Sequence, residues 1–265
     1  FNVKKQLDKS RKIIAKLFGV RSNDLIFTSG ASEANAMAIK GYALAQQVRG
    51  KHLITTNVEH SSVLNAFEQL ETTFGFEVTY LEVNKEGFIN LDELKTSLRN
   101  DTTLVSIMAI NNEIGTIQPL SEISAIIKEN SKAIFHVDAV QALGKIDLDF
   151  SLFDMASFSA HKINGLKGSG LLYKRAHLEI EPLIHGGSQE FGLRGGTSNA
   201  AVHILLAKTI RLALESQKEN EENIKEIKQF CIEKLRDMKN FTIHTPVISS
   251  DYIVSFSSNT VPSEI

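Results

Sequence analysis

The chain has 265 residues, of which 42% are hydrophobic, enough for one large domain or for one domain and part of a second. Its 29 Lys and Arg against 31 Asp and Glu give a net charge of -2, which argues against a nucleic-acid-binding protein with a basic surface. No apolar run is long enough to span a membrane, the start does not resemble a signal peptide, and the single cysteine, Cys231, excludes an internal disulfide framework and suits a reducing cytosol.

Taken in chain order, short apolar runs alternate with longer amphipathic ones. The spacing predicts helices over 3–18, 34–47, 61–71, 91–98 and 120–129. It predicts strands over 25–28, 52–56, 77–81, 103–110, 133–137, 154–159 and 171–173. This alternation predicts an α/β fold whose mostly parallel sheet is covered by helices on both faces.

The character of the sequence changes after Ala201. One long helical pattern runs to Met238, and two short β-like runs follow at 241–244 and 252–256. We therefore predict a large domain over 1–212 and part of a small carboxyl-terminal α+β domain over 213–265.

Polar signatures follow the predicted strands, and the carboxyl ends of parallel strands meet at one edge of the sheet. The small-residue turn at 28–35 opens a helix, where free N–H groups suit a phosphate, although a serine N-cap accounts for the turn equally well. His60 lies at a strand–helix junction, where a structural role is common. The run 111–115, Asn-Asn-Glu-Ile-Gly, is typical of a turn.

Two further signatures can carry chemistry. Asp138 ends an apolar strand, so its carboxylate either caps a turn or meets a cationic group. Lys162 ends the next strand; buried among other groups, its amine could have a lowered pKa and act as nucleophile and base, whereas a surface lysine is the ordinary alternative. The stretch 165–170 lacks the ending of a P-loop and is interpreted as a turn beside Lys162. The glycine-rich run 185–197 predicts an irregular loop that carries function or an interface.

Together these segments resemble the cysteine desulfurases, fold-type I pyridoxal-phosphate enzymes of the aminotransferase class-V group. The resemblance covers essentially the whole chain and depends on Ser-Ala-His-Lys at 159–162, Asp-Ala-Val-Gln at 138–141 and His-Gly-Gly…Arg-Gly-Gly-Thr at 185–197. It implies the three-layer large domain of that fold type. The sequence departs from the family pattern at Ser188, where glycine is frequent, and at Phe191, where a basic residue is common.

The resemblance also implies residue roles around pyridoxal 5'-phosphate, with no metal. Lys162 would form the internal aldimine, Asp138 would pair with the pyridinium nitrogen, and His60 would stack on the ring and move protons; these three are the expected catalytic residues. Gln141 and Asn112 would contact the ring hydroxyl side, with Asn112 also near the substrate carboxylate. The phosphate would be cradled by Ala31, Ser32, Ser159 and His161. Thr197 would reach the phosphate bound in the other subunit of a homodimer.

The implied reaction removes sulfur from L-cysteine, leaves L-alanine and supplies iron–sulfur cluster or thio-cofactor assembly, with a scaffold or other sulfur-acceptor protein as partner. It needs a nucleophilic cysteine thiolate of the enzyme, which attacks the substrate sulfur and becomes a persulfide. Cys231 shares a helical stripe with Ile224, Ile227, Leu235 and Met238, so we expect it to be a core residue. In the family the catalytic cysteine lies further on than Ile265, and an opening segment precedes Phe1. The chain as given is therefore expected to be truncated at both ends and inactive in sulfur transfer.

Three alternatives remain open at this point. One is another fold-type I activity, such as a selenocysteine lyase or an aminotransferase. A second is a non-catalytic subunit that binds assembly partners. A nucleotide-binding α/β protein is the third, although the sequence contains neither glycine fingerprint. A cytoplasmic location is expected for the protein.

Overall fold

A computed structural model describes residues 3–260, and its centre is a seven-stranded sheet. The strands are β1 (Leu25–Thr28), β2 (His52–Thr56), β3 (Glu77–Leu81), β4 (Thr102–Ser106), β5 (Ile134–Asp138), β6 (Met155–Ser159) and β7 (Gly170–Lys174). Their order across the sheet is β1-β7-β6-β5-β4-β2-β3. Only β7 runs antiparallel to its neighbours in this sheet, so β1, β2, β4, β5 and β6 all end at the same edge.

Helices cover both faces of the sheet. They are α1 (Val3–Phe18), α2 (Ala31–Ala36), α3 (Tyr42–Gln46), α4 (Ser61–Phe74), α5 (Leu91–Ser97), α6 (Leu120–Asn130), α7 (Ala200–Glu215) and α8 (Gln217–Arg236). A π-helical turn, Met37–Gly41, joins α2 to α3. None of the helices within residues 3–260 combines the length and the apolar character that crossing a bilayer requires.

The central strands are buried on both sides, and their alternating side chains feed two separate cores. Phe27 and Val105 belong to the core that α1, α6 and α7 complete. Their neighbours Ile26 and Leu104 belong to the core that α2, α3 and α4 complete. This arrangement confirms the predicted three-layer α/β fold, and it accounts for the continuous apolar runs that mark most of these strands in the sequence.

Most element predictions are confirmed to within a few residues, and three differ in an instructive way. The predicted strand 103–110 ends at Ser106, although Ile107 N still donates to His136 O at 3.1 Å, because the chain then turns back to pair Ile110 with Ile117. The predicted single helix after Ala201 is two helices. It breaks at Ser216, whose hydroxyl donates to Leu212 O at 2.9 Å and competes with the helical hydrogen bonds.

The last strand prediction is shifted. The second two-stranded sheet pairs β8 (Phe241–Ile243) with β9 (Phe256–Ser258), so residues 252–255 precede the strand. Lys228 accounts for the shift, because its buried ammonium donates to Ser249 O and Ser250 O, at 3.2 and 3.0 Å, and holds this segment in a turn. The division into domains at residues 212 and 213 stays a prediction.

The prediction that Cys231 belongs to a buried apolar stripe of α8 is wrong. Ile227 and Met238 are 56% and 50% exposed, and Cys231 itself is half-buried. The buried residues of α8 are instead Gln217 and Lys228. The side of the helix that packs against the rest of the chain is therefore the side that carries Lys228, which hydrogen-bonds to Ser249.

A buried ion pair ties the glycine-rich run 185–197 to the large domain. The Arg11 guanidinium donates to both carboxylate oxygens of Glu190, at 2.8 and 2.7 Å, and Phe27 N donates to the same carboxylate at 2.8 Å. The Phe191 ring centre lies 5.1 Å from the Arg11 guanidinium carbon, within the range of a cation–π contact. A basic residue at 191 would repel Arg11, so the departure from the family pattern has a local physical reason.

We predict that Glu190→Ala lowers the free energy of unfolding of the intact protein by about 3 kcal/mol, because it leaves the Arg11 charge buried and unpaired. Urea unfolding at fixed protein concentration measures the loss. The matched control is Arg211→Ala, which breaks an exposed pair with Glu215 and should cost no more than about 0.5 kcal/mol. Equal losses in the two variants would contradict the anchoring role of Glu190.

Candidate functional site

A cavity of about 580 Å³ opens at the edge where the parallel strands end. Its walls come from the segments that follow β1, β2, β4, β5 and β6, as the strand directions require. Nine of the predicted site residues line it: Ala31, Ser32, His60, Asn112, Asp138, Gln141, Ser159, His161 and Lys162. The tenth, Thr197, is exposed and lies outside the lining of this cavity. Its role in another subunit stays a prediction.

Asp138 ends β5 with only 5% of its surface exposed. One carboxylate oxygen accepts from Asn35 Nδ2 at 2.8 Å, and the other accepts from Val140 N at 3.1 Å. Burial raises the pKa of Asp138, and these two hydrogen bonds and the nearby His60 act in the opposite direction. Within residues 3–260 Asp138 has no salt bridge, so a cationic group entering the cavity would relieve the cost of burying its charge.

Lys162 lies in the short 3₁₀ turn Ala160–Ile163 that directly follows β6. Of the two alternatives for this residue, a buried amine and a surface lysine, the structure shows an exposed side chain, which borders the cavity. It also borders a second cavity of about 380 Å³, formed with residues of α7 and the turn after it. In the same turn Ser159 Oγ and His161 Nδ1 lie 2.8 Å apart, so these two predicted residues form one polar pair.

The small-residue turn after β1 offers hydrogen-bond donors to the cavity. Helix α2 begins at Ala31 after Gly30, and no side chain caps its first turn. Glu33 instead folds back to accept from Ser29 N at 2.8 Å and pairs with Arg194 Nε at 2.8 Å. The backbone N–H groups that open α2, together with Ser32, are therefore suited to hold an anion.

The run 111–115 is a turn, as its composition indicates, and the turn positions Asn112. The buried Asn111 side chain accepts from Glu113 N and Ile114 N, at 2.9 and 3.0 Å, and Gly115 has the positive φ of 83° that closes the turn. Asn112 donates to Glu113 Oε1 at 2.7 Å and borders the cavity.

Lys145 is a site residue that sequence reasoning missed. Its ammonium donates to Gln141 Oε1 at 2.7 Å. Since an ammonium group has only donors, the amide oxygen of Gln141 must face Lys145, and the amide NH₂ is left to donate elsewhere. Burial, followed by the positive charge of Lys162, lowers the pKa of Lys145 to about 8. The only sequence signal was its position four residues after Gln141.

Glu59 is a second residue outside the predicted set, although it precedes His60. Its side chain is buried, and Oε1 accepts from Met108 N at 2.9 Å and from Thr56 Oγ1 at 3.0 Å. Oε2 has no hydrogen-bond partner within the described part of the chain. Burial, reinforced by the negative charge of Asp138, raises the pKa of Glu59 from 4.5 to about 8. Burial therefore favours the neutral acid form of Glu59 at pH 7.

Comparison with known proteins gives a consistent result. A family model described as aminotransferase class-V matches residues 1–264. A NifS/IcsS protein homolog of Lactobacillus delbrueckii subsp. bulgaricus is 48% identical over 244 residues, covering 91% of this chain and 63% of the relative. The cysteine desulfurase IscS of Dictyoglomus turgidum is 45% identical over 261 residues, covering 98% of this chain and 64% of the relative. A solved structure of a NifS-like protein matches with a TM-score of 0.94 at 38% identity, covering 98% of this chain and 72% of that one. The chain thus spans less than two thirds of the length of these two sequence relatives.

The raised pKa of Glu59 predicts a particular pH dependence of stability. Between pH 4.5 and about 8 the folded protein holds a proton on Glu59 that the unfolded chain has lost, so this group stabilises the fold below pH 4.5 and loses that contribution as the pH rises to about 8. In Glu59→Gln the amide oxygen keeps both hydrogen bonds and does not titrate. The stability of the unchanged protein relative to Glu59→Gln should fall by roughly 1 kcal/mol per pH unit across this window. Denaturant unfolding from pH 4.5 to 9 measures the difference. Glu129→Gln, which alters an exposed carboxylate, should give a flat difference, and a flat difference for Glu59→Gln would contradict the assignment.

Proposed function

The chain belongs to the aminotransferase class-V family, and from this premise we propose that the protein is a cysteine desulfurase, which uses pyridoxal 5'-phosphate to take sulfur from L-cysteine and leave L-alanine. One observation carries the proposal. A buried carboxylate, an exposed lysine and a set of anion-binding donors each follow a strand of the sheet and border the same cavity. The name of one of the two sequence relatives, the cysteine desulfurase IscS of Dictyoglomus turgidum, supports the same activity.

The residues present fit this cofactor. Asp138 is a buried carboxylate with no salt bridge in residues 3–260, which suits the protonated ring nitrogen of the cofactor. The other donors suit its phosphate: the first-turn N–H groups of α2, Ser32, and the hydrogen-bonded pair Ser159 and His161. Lys162 supplies the amine that would hold the cofactor covalently.

Each of these side chains then has a distinct task. When bound, pyridoxal phosphate supplies an electron sink that stabilises the negative charge left on the α-carbon of the substrate after a proton is removed. The Lys162 amine would take that proton and return it, since its exposed side chain borders the cavity in which the substrate would lie. Asp138 keeps the proton on the ring nitrogen by the attraction of its buried charge.

Two amide side chains orient the bound groups. Gln141, with its oxygen held by Lys145, has NH₂ donors to offer to the ring hydroxyl oxygen. Asn112, in the turn fixed by Asn111, borders the cavity where the substrate carboxylate would lie.

The proposal has three further parts. The protein forms a homodimer in which Thr197 reaches the phosphate bound in the other subunit. Its partner is a sulfur-acceptor or scaffold protein, and its location is cytosolic.

The first test of the proposal is the covalent attachment of the cofactor. We predict that borohydride treatment of the intact protein fixes pyridoxal phosphate to the peptide that carries Lys162, as peptide mass spectrometry would show. Lys162→Ala should lose this adduct and slow alanine formation from cysteine by about a thousandfold or more, because the proton acceptor is gone.

Lys167→Ala is the control, since Lys167 is an exposed lysine that lines the same cavity. It should keep the adduct and most of the rate. An adduct on another lysine would overturn the assignment of Lys162. A keto acid in place of alanine would overturn the desulfurase proposal in favour of an aminotransferase.

The second test concerns the only thiol of the chain. We predict that Cys231→Ser in the intact protein leaves alanine formation within about twofold, because Cys231 lies on α8 and is not among the residues that line the cavity. Loss of persulfide formation in this variant, measured by alkylation and mass spectrometry, would identify Cys231 as the sulfur acceptor and contradict the prediction.

A further inference from the structure

A chain of hydrogen bonds joins two of the proposed site residues through two that sequence reasoning missed. Asn35 Nδ2 donates to Asp138 Oδ2 at 2.8 Å and to Ser62 Oγ at 2.9 Å. Ser62 Oγ lies 2.8 Å from His60 Nδ1, and Ser62 N also donates to that nitrogen at 3.1 Å. The chain of contacts therefore runs from the end of β5, through α2, to the first turn of α4.

With Asp138 ionised, the directions of the hydrogen bonds in this chain follow from the donors and acceptors available. An ionised Asp138 can only accept, so the Asn35 amide must turn its NH₂ group toward it, and both of its hydrogens are then used. This orientation of the amide leaves Asn35 Oδ1 without a partner in the described residues, although Asn35 is fully buried. Ser62 Oγ receives one of the Asn35 hydrogens, so its single hydrogen is free to point at His60.

The consequence falls on the protonation of His60. Its Nδ1 accepts from the backbone N–H of Ser62, which can only donate, so Nδ1 must be unprotonated, and the Ser62 hydroxyl beside it then donates as well. A neutral imidazole then carries its proton on Nε2. His60 is exposed and lines the cavity, so Nε2 is the ring nitrogen left to exchange a proton with bound molecules.

We propose that Asn35 and Ser62 are positioning residues that hold His60 in the tautomer protonated on Nε2 and link that tautomer to the charge of Asp138. The part that concerns proton movement by His60 rests on the proposed function, whereas the tautomer is a property of the chain itself. The geometry further implies that Nδ1 is barred from proton exchange, because a proton there would oppose both Ser62 donors.

Helix capping alone does not account for these contacts. His60 is the N-cap residue of α4, and capping requires only that its side chain accept from Ser62 N. Alanine at position 62 would keep that N–H and its bond to Nδ1. The Ser62 hydroxyl and the Asn35 amide are additional to the cap, so removal of the hydroxyl distinguishes control of the tautomer from capping.

The test is a measurement of the His60 tautomer in the intact protein. Selective ¹⁵N labelling of histidine and long-range ¹H–¹⁵N spectra report which ring nitrogen carries the proton, and His60→Gln identifies the His60 signal. The cofactor-free protein should show His60 protonated on Nε2. Ser62→Ala should raise the fraction protonated on Nδ1 about fivefold, the effect of losing one hydrogen bond.

Two variants complete the test. Ser62→Thr restores a hydroxyl and should restore the original ratio. Ser61→Ala removes a neighbouring hydroxyl from the same exposed helix turn and should leave the ratio unchanged. Asn35→Ala should change the ratio in the same direction as Ser62→Ala if the link to Asp138 holds; because Asn35 is buried, the Ser62 variants carry the test if this variant does not fold.

Several results would overturn the proposal: a proton on Nδ1 of His60 in the unchanged protein, a Ser62→Ala spectrum indistinguishable from that of Ser61→Ala, or a folded Asn35→Ala protein with an unaltered ratio. The measurement needs neither cofactor nor turnover. A failure here is therefore separate from a failure of the desulfurase proposal, which the adduct on Lys162 and the formation of alanine decide.

Discussion

Asp138 ends a fully buried strand, and its carboxylate must replace the water it has lost with hydrogen bonds from the protein. Only two of these come from the described chain, one from Asn35 and one from Val140 N, and neither brings a positive charge. The negative charge of Asp138 is therefore held by two hydrogen bonds but is not balanced by a positive charge from the described residues. A cationic ring nitrogen completes the compensation, so the same burial that raises the pKa of Asp138 strengthens its attraction for a bound cofactor.

The topology of the sheet brings other functional side chains next to Asp138. Because β1, β2, β4, β5 and β6 all run in one direction, the turns that follow them open onto one cavity. The antiparallel strand β7 lies between β1 and β6 without interrupting that edge. The Arg11–Glu190 pair fixes the loop that leads to Thr197, so a buried charge pair anchors this loop to the large domain.

Residues at strand ends could be predicted from the sequence, because a polar side chain directly after a buried apolar run usually caps a turn or faces a ligand, and parallel strands place such residues together. Asn35 gave no comparable signal, because it lies inside helix α2 and not directly after a strand, and its partner Asp138 is 103 positions away. Lys145 and Ser62 contact the predicted residues Gln141 and His60 locally, but a lysine four residues after a glutamine and a serine in the first turn of a helix are too common to indicate such a role. The exposure of Lys162 and of the apolar face of α8 could not be foreseen from periodicity, which shows that residues share a face but not what covers that face.

Glu59 and Asp138 show how two carboxyl groups near one cavity acquire different states. Each is buried, and the charge of Asp138 raises the pKa of Glu59 further. Asp138 accepts an amide N–H on each of its two oxygens, whereas both hydrogen bonds to Glu59 fall on one oxygen and leave the other without a partner in the described chain. Burial raises the pKa of both groups, but protonation of Asp138 would weaken one of its two hydrogen bonds, whereas the second oxygen of Glu59 has none to lose. The hydrogen bonds therefore favour negative charge on Asp138 over Glu59, and Asp138 is the carboxylate at which a protonated ring nitrogen would be attracted most strongly.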